Sequence, residues 1–136
     1  MPNKKTLVIG ASTNPAQYSH LAIKKLLAAG HGVEAIGREI FNIENISIGA
    51  TMFPFEGIDT VTIYLNADRQ KAYQEYILSL HPKRIIFNPG AENPSFFKEA
   101  IEKGIDNRSI LIDPGFGFGK TSEQNLILLK NLSRFC

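Results

Sequence analysis

Apolar residues fall into five short runs along the chain, and the stretches between them carry a helical spacing. Thr6 to Ile9 is the first run. Its three consecutive apolar residues, Leu7, Val8 and Ile9, read as a strand buried on both faces. The small-residue turn Gly10-Ala11-Ser12-Thr13-Asn14-Pro15 follows, and then a helix over about Tyr18 to Ala29 with Leu21, Ala22, Leu26 and Ala29 on its apolar face. Gly30 is placed to cap that helix. Gly32 to Gly37 reads as a second strand. Strand, helix and strand fit in about thirty residues, which predicts a parallel βαβ unit. Asp59 to Leu65 is a third strand, rich in β-branched and aromatic residues. Asn66 or Asp68 then caps a helix over about Arg69 to Leu80, with Ala72, Tyr73, Tyr76, Ile77 and Leu80 inward. Arg84 to Phe87 is a fourth strand. It leads through Asn88 to Pro94 into a helix over Ser95 to Lys103, with Asn93 as cap and Gly104 as stop. Ile110 to Ile112 is the fifth strand. Thr121-Ser122-Glu123-Gln124 has the capping-box pattern and opens a last helix that buries Leu126, Ile127, Leu129 and Leu132. Arg38 to Gly57 has no clear period and is expected to form a loop with one short extended piece.

Five strands alternating with helices predict an α/β fold: a three-layer sandwich around a doubly wound parallel five-stranded sheet. In such sheets ligands sit outside the C-terminal strand ends, where strand order reverses. The loops at Gly10, Arg38, Asn66, Asn88 and Asp113 all belong to that edge.

Composition changes this picture little. A chain of 136 residues with 43% hydrophobic and 21% charged positions suits one domain with one core. A net charge of +2 is too small to argue for nucleic acid, and it neither favours nor excludes a small anion. Cys136 is the only cysteine, so no internal disulfide forms, and a reducing, cytoplasmic setting is expected. No run approaches the length of a membrane span, and the lysines near the N-terminus are not followed by a long apolar stretch. The Asn-x-Ser matches at Asn45, Asn107 and Asn131 are therefore read as chance. His20, His31 and His81 show no metal spacing, and no catalytic Ser/His/Asp or Cys/His arrangement can be argued. Phe53, Phe55, Phe96 and Phe97 are expected in the core.

Three stretches carry candidate chemistry. The Gly10 to Asn14 turn can bring backbone to a phosphate at the positive end of a helix, with Ser12 and Asn14 as side-chain donors. The full dinucleotide glycine pattern is absent. Arg38 stands at the end of the second strand, where an acid would hold a ribose hydroxyl. An arginine there favours a ribose-phosphate nucleotide such as NADP or coenzyme A over NAD. An ordinary small-residue turn explains the same residues without a ligand. The Asn88-Pro89-Gly90-Ala91-Glu92-Asn93 loop suits either a ligand wall or a simple helix cap. Pro114 to Thr121 comes close to a P-loop, but the position that needs Gly is Pro114, which has no N–H to give a phosphate.

Two resemblances rest on quoted runs. Val8-Ile9-Gly10-Ala11-Ser12 with Asn14 and Tyr18, Asp59 to Tyr64, and the long run Pro82 to Asn93 make about Lys5 to Asp106 resemble the small bacterial coenzyme A-binding proteins. These are single Rossmann-like domains, also related to the nucleotide-binding part of succinyl-CoA ligases. The resemblance implies coenzyme A or a related adenine nucleotide across the strand ends. Gly10, Ala11, Ser12 and Asn14 would hold the pyrophosphate, with Tyr18 beside them. Arg38 would lie near the adenosine, and Asn88, Pro89 and Gly90 along the pantetheine. Such proteins usually end on a short strand containing Cys-Thr and a brief tail. Here Ser109 to Phe135, with Ile112-Asp113-Pro114-Gly115-Phe116-Gly117-Phe118-Gly119-Lys120-Thr121, instead resembles one βα unit of dihydropteroate synthase, a TIM-barrel enzyme.

In that family the residues matching Asp113 and Phe118 belong to the pterin and aminobenzoate surroundings, so Asp113, Phe118 and Lys120 would form a vestigial pterin site. One βα unit is not a barrel, and no synthase activity is expected. A βα unit is a portable part that can complete a sheet or a barrel. The chain is thus read as one domain over 1–136, with 1–107 coenzyme A-binding-like and 108–136 completing the sheet. An engineered fragment chimera is the leading explanation, and a natural fusion or reading-frame accident the alternative. The expected function is non-catalytic binding of a small-molecule nucleotide, with no metal, nucleic acid or membrane partner. The alternative is a stable fold with no retained ligand.

Overall fold

The structure is a computed structural model and describes residues 5–112. The five sequence-predicted strands form one parallel sheet. They are β1 (Lys5–Ala11), β2 (Gly32–Gly37), β5 (Ile58–Ile63), β6 (Arg84–Phe87) and β7 (Ile110–Ile112), in the order β2-β1-β5-β6-β7. Val8 pairs with Ala35 on one side and Thr62 on the other, and Ile86 pairs with Leu111. The strand at Ile110–Ile112 therefore completes the sheet as expected. The helix expected after Thr121 lies outside the described residues.

Alternation along β1 builds the two outer layers. Leu7 and Ile9 face one cluster with Val61, Ile63, Ile77, Ile85, Phe87 and Phe96, while Val8 and Ala11 face another with Ile23, Val33, Ala35, Ile43 and Ile48. All three consecutive apolar residues of β1 are fully buried, as a strand covered on both faces requires. Phe87 meets Phe96 edge to face, with ring centroids 5.9 Å apart. Each such fully buried side chain contributes about 1.5–3 kcal/mol.

The first helix, α1 (Tyr18–Ala28), buries Ser19, His20 and Ile23. This corrects the expected face: Leu21 and Ala29 are exposed. The small Ser19 and a hydrogen-bonded His20 take inward positions that an apolar-only pattern does not count. Gly30 does end the helix. At φ +84° it donates to the Leu27 carbonyl, and His31 donates to that of Leu26.

The irregular segment after β2 is more ordered than the sequence suggests. It holds an antiparallel hairpin, β3 (Phe41–Ile43) and β4 (Ile46–Ile48), whose Ile43 and Ile48 pack on the α1 face. Glu44 turns it at φ 52°, a left-handed position usually given to glycine, so the usual glycine signal is absent there. The following strap runs back to β5. Phe55 packs on the other face, but Phe53 is exposed, contrary to its expected place in the core. The Tyr76 hydroxyl donates to the Phe53 carbonyl. Burial, with help from the Glu34 charge, pushes that phenol up to about 12.

The helix expected over Arg69 to Leu80 is two, α2 (Ala67–Gln70) and α3 (Gln74–Ser79). Asn66 is the cap, accepting from the Arg69 amide at 2.9 Å. The break follows Gln70, whose side chain is fully buried and bonds backbone outside its own helix, while Tyr73 N closes tightly on its carbonyl. The last described helix, α4 (Pro94–Glu102), starts as expected, with Asn93 accepting from Phe96 N.

Candidate functional site

The chain leaves β1, adds β2 on one side, and returns to add β5 on the other. The C-terminal ends of β1 and β5 are therefore the point where strand order reverses, and a crevice opens there. Its floor is backbone. Gly10 sits at φ +94°, and a Cβ on it would lie 3.1 Å from Leu65 Cδ2 and 3.2 Å from the Tyr64 carbonyl carbon. Glycine is required there both for its conformation and for the close approach. Gly37 is tighter still: its Cβ would lie 2.5 Å from the Ala11 oxygen. Tyr64 N donates to the Ile9 carbonyl and Gly37 N to that of Gly49, which fixes the two strand ends beside β1.

The turn after β1 is held by its own side chains. Ser12 Oγ accepts from Asn14 N at 3.1 Å, and Asn14 Oδ1 accepts from Ala16 N at 2.9 Å. Both accepting oxygens serve the turn. The Ser12 hydroxyl hydrogen and the Asn14 amide hydrogens remain as donors. From α1, the buried His20 places Nδ1 2.8 Å from the Ser12 carbonyl. A carbonyl only accepts, so Nδ1 carries the hydrogen and the ring ties the turn to the helix.

The resulting cleft has a volume of about 180 Å³. Gly10, Ala11, Ser12 and Thr13 line its centre. Ile36, Gly37, Arg38, Glu39 and Phe41 form the β2 wall, and Tyr64, Leu65, Arg69 and Tyr73 the β5 wall. Among the described residues, no ion pair or side-chain hydrogen bond engages the Arg38 or Arg69 guanidinium. Two such cations beside a turn of small residues have the charge and shape to receive a phosphate group.

Of the residues singled out from sequence, Gly10, Ala11, Ser12 and Arg38 line this cleft. Asn14 shapes the turn without lining it, and Tyr18 is exposed at the start of α1, outside it. Asn88, Pro89 and Gly90 lie on the β6 loop, away from the lining. Asn88 is buried and donates Nδ2 to Thr62 Oγ1 (2.7 Å) and the Ile63 carbonyl (2.9 Å). Gly90 N donates to the Glu92 carboxylate at 2.8 Å. Asp113, Phe118 and Lys120 lie outside the described residues.

Sequence reasoning missed Thr13, Ile36, Gly37, Glu39, Phe41, Tyr64, Leu65, Arg69 and Tyr73. Signals for two existed. Glu39 follows Arg38 directly, and Arg69 stands three residues after Asn66, the cap already assigned to this sheet edge. Among the described residues no group of three His, Cys, Asp or Glu is placed to hold a metal ion, and no helix is long and apolar enough to cross a membrane.

A family model described as a CoA binding domain matches residues 4–114. A crystal structure of an uncharacterized protein is 34% identical, with a TM-score of 0.78, over 98% of this chain and 99% of its own. A hypothetical protein from Pyrococcus horikoshii OT3 shares the fold, with a TM-score of 0.72 at 19% identity, over 93% of this chain and 84% of its own. A separate, local likeness links a 37-residue stretch to dihydropteroate synthase from Streptococcus pyogenes serotype M6, at 51% identity. That stretch is 27% of this chain and 14% of the synthase, in keeping with the short likeness read from the sequence.

Proposed function

The chain belongs to the CoA binding domain family, and from that premise we propose that it binds coenzyme A or a closely related adenine nucleotide, without catalysing a reaction, in the cleft at the ends of β1, β2 and β5. The observation that carries this reading is the meeting of the Gly10–Thr13 turn and Arg38 in one cleft at the point of strand reversal. Coenzyme A offers a diphosphate and a 3′-phosphorylated ribose. The turn, with its small residues and α1 behind it, suits the diphosphate. Arg38 suits the ribose phosphate, with Ile36 and Phe41 beside the adenosine. Arg69, Tyr64 and Tyr73 suit the side from which the pantetheine arm leaves.

Asn88 and Gly90 act in this reading as scaffold, since their donors are committed within the loop and to β5. No synthase chemistry is part of the proposal, because the matched stretch spans 14% of that enzyme. Among the described residues, Ser12 Oγ bonds only its own turn, and no base is paired with it to make a nucleophile.

Isothermal titration with coenzyme A, 3′-dephospho-coenzyme A and NAD tests the reading. Coenzyme A is expected to bind well below about 1 mM, and the dephospho form about tenfold more weakly, a difference of ~1.4 kcal/mol. Arg38→Ala should erase that difference while leaving unfolding within about 0.5 kcal/mol of the parent. If none of the three binds below about 1 mM, the cleft is not a nucleotide site and the chain is a fold without a retained ligand. If dephospho-coenzyme A binds as tightly as coenzyme A, Arg38 does not read the ribose phosphate.

A further inference from the structure

Resting on the nucleotide reading of the cleft, we propose that Glu39 is a specificity-determining residue: it accepts from the free ribose hydroxyl and rejects a phosphate at that position. Glu39 and Arg38 are consecutive, yet both line the β2 wall, because the chain bends there as it leaves the strand. They do not neutralise one another. Among the described residues neither takes part in an ion pair or a side-chain hydrogen bond, and both are exposed to the cleft mouth. Among the described residues, Glu39 is also the only carboxylate in the lining.

The end of the second strand is where a βαβ site reads the ribose. A carboxylate there accepts from a hydroxyl, whereas an arginine receives a phosphate. This cleft carries both, one residue apart, so it fits a ribose with one phosphate and one free hydroxyl. With the phosphate at the 3′ position, as in coenzyme A, Glu39 faces the 2′ position. A 2′-phosphate would bring like charges together and leave the carboxylate without its hydrogen-bond donor. Arg38 alone accepts either isomer. Arg38 and Glu39 together choose between them.

The probes are adenosine 3′,5′-bisphosphate and adenosine 2′,5′-bisphosphate, which differ only in the position of one phosphate. Each is titrated into the parent protein, Glu39→Gln and Arg38→Ala, with coenzyme A as the reference ligand. The parent is expected to prefer the 3′,5′ isomer by about tenfold or more. Glu39→Gln should bring the two within about threefold, chiefly by strengthening the 2′,5′ isomer, with an unchanged melting temperature. Arg38→Ala should weaken both. Equal binding of the two isomers by the parent overturns the inference while the cleft stands, provided coenzyme A binds. A Glu39→Gln variant that keeps the parent's preference overturns it too. If coenzyme A and both isomers fail to bind, the nucleotide reading has failed and this inference falls with it.

Discussion

Two loops leave the same edge of the same sheet and use their polar groups in opposite ways. The loop after β6, Asn88 to Asn93, turns them inward. Asn88 donates twice to β5, Gly90 N is held by Glu92, and Asn93 Nδ2 donates to Gln70 Oε1 at 3.0 Å. Gln70, fully buried on α2, in turn donates to the carbonyls of Leu65 and Ala91 at 2.8 and 2.7 Å. This is a closed network. Arg38, Glu39 and Arg69, around the turn after β1, turn outward, and no ion pair among the described residues engages them. Polar residues at a strand edge are ambiguous by type. What separates scaffold from site is whether the donors and acceptors are already satisfied and dry, or uncommitted and wet.

The largest expected effect breaks the closed loop. Gln70→Leu keeps most of the side-chain volume and removes all three of its bonds. The buried Ala91 carbonyl and Asn93 amide and the part-buried Leu65 carbonyl are left without these partners. At about 1–3 kcal/mol for each unsatisfied group, the loss should reach on the order of 3–5 kcal/mol in urea unfolding. Coenzyme A affinity, measured well below the melting transition, should change little. A loss under about 1 kcal/mol would show that water readily replaces these bonds and that the loop is not locked.

A smaller loss is expected where the open cleft meets the core. Gly37→Ala places a Cβ 2.5 Å from the Ala11 oxygen, and the neighbour is backbone that cannot rotate away. Forcing β1 and β2 apart at their ends should cost about 1–3 kcal/mol. It should also weaken nucleotide binding, because Gly37 and Ala11 both line the cleft. A stable variant with unchanged affinity would show that the cleft does not depend on this close approach.

The contrast between the loops also explains what the sequence could and could not disclose. All five strands were legible because β-branched runs such as Thr60–Ile63 and Leu7–Ile9 are fixed by burial on both faces. The Asn93-Pro94 helix start and the Gly30 stop were legible because capping is local chemistry. The break after Gln70 was not, since a glutamine at helical spacing looks exposed until Leu65 and Ala91 are known to lie over it. The hairpin after β2 was hidden by Glu44 at its turn. Of the described lining residues, Gly10, Ala11, Ser12 and Arg38 are the four that the strand order and the turn pattern single out beforehand. Asn88 is given a ligand-facing role by its rigid loop after a strand and by the family resemblance. Its two bonds to β5 depend on a pairing between residues 25 and 26 positions apart, which no local pattern reveals.

The smallest effect grades the comparison by burial. Tyr76 makes the same kind of bond as Gln70, from a side chain to a distant carbonyl, but it is only half-buried and its partner Phe53 is exposed. Tyr76→Phe keeps the ring and should cost about 1 kcal/mol, the net worth of one hydrogen bond, rather than the several expected at Gln70. Its pH dependence identifies the group. Burial, with the Glu34 charge second, raises the folded phenol to about 12. In the unfolded chain it titrates near 10. Below pH ~10 both states hold the proton and the contribution is intact. As pH rises from ~10 to 12 the unfolded state releases its proton first, so unfolding is favoured and the contribution is lost. The stability of the parent should therefore fall more steeply than that of Tyr76→Phe across that window, and the gap between them should close. Parallel curves from pH 9 to 12 would mean that the phenol is no drier in the folded chain than in the unfolded one, and that the strap at Phe53 is held by Phe55 packing alone.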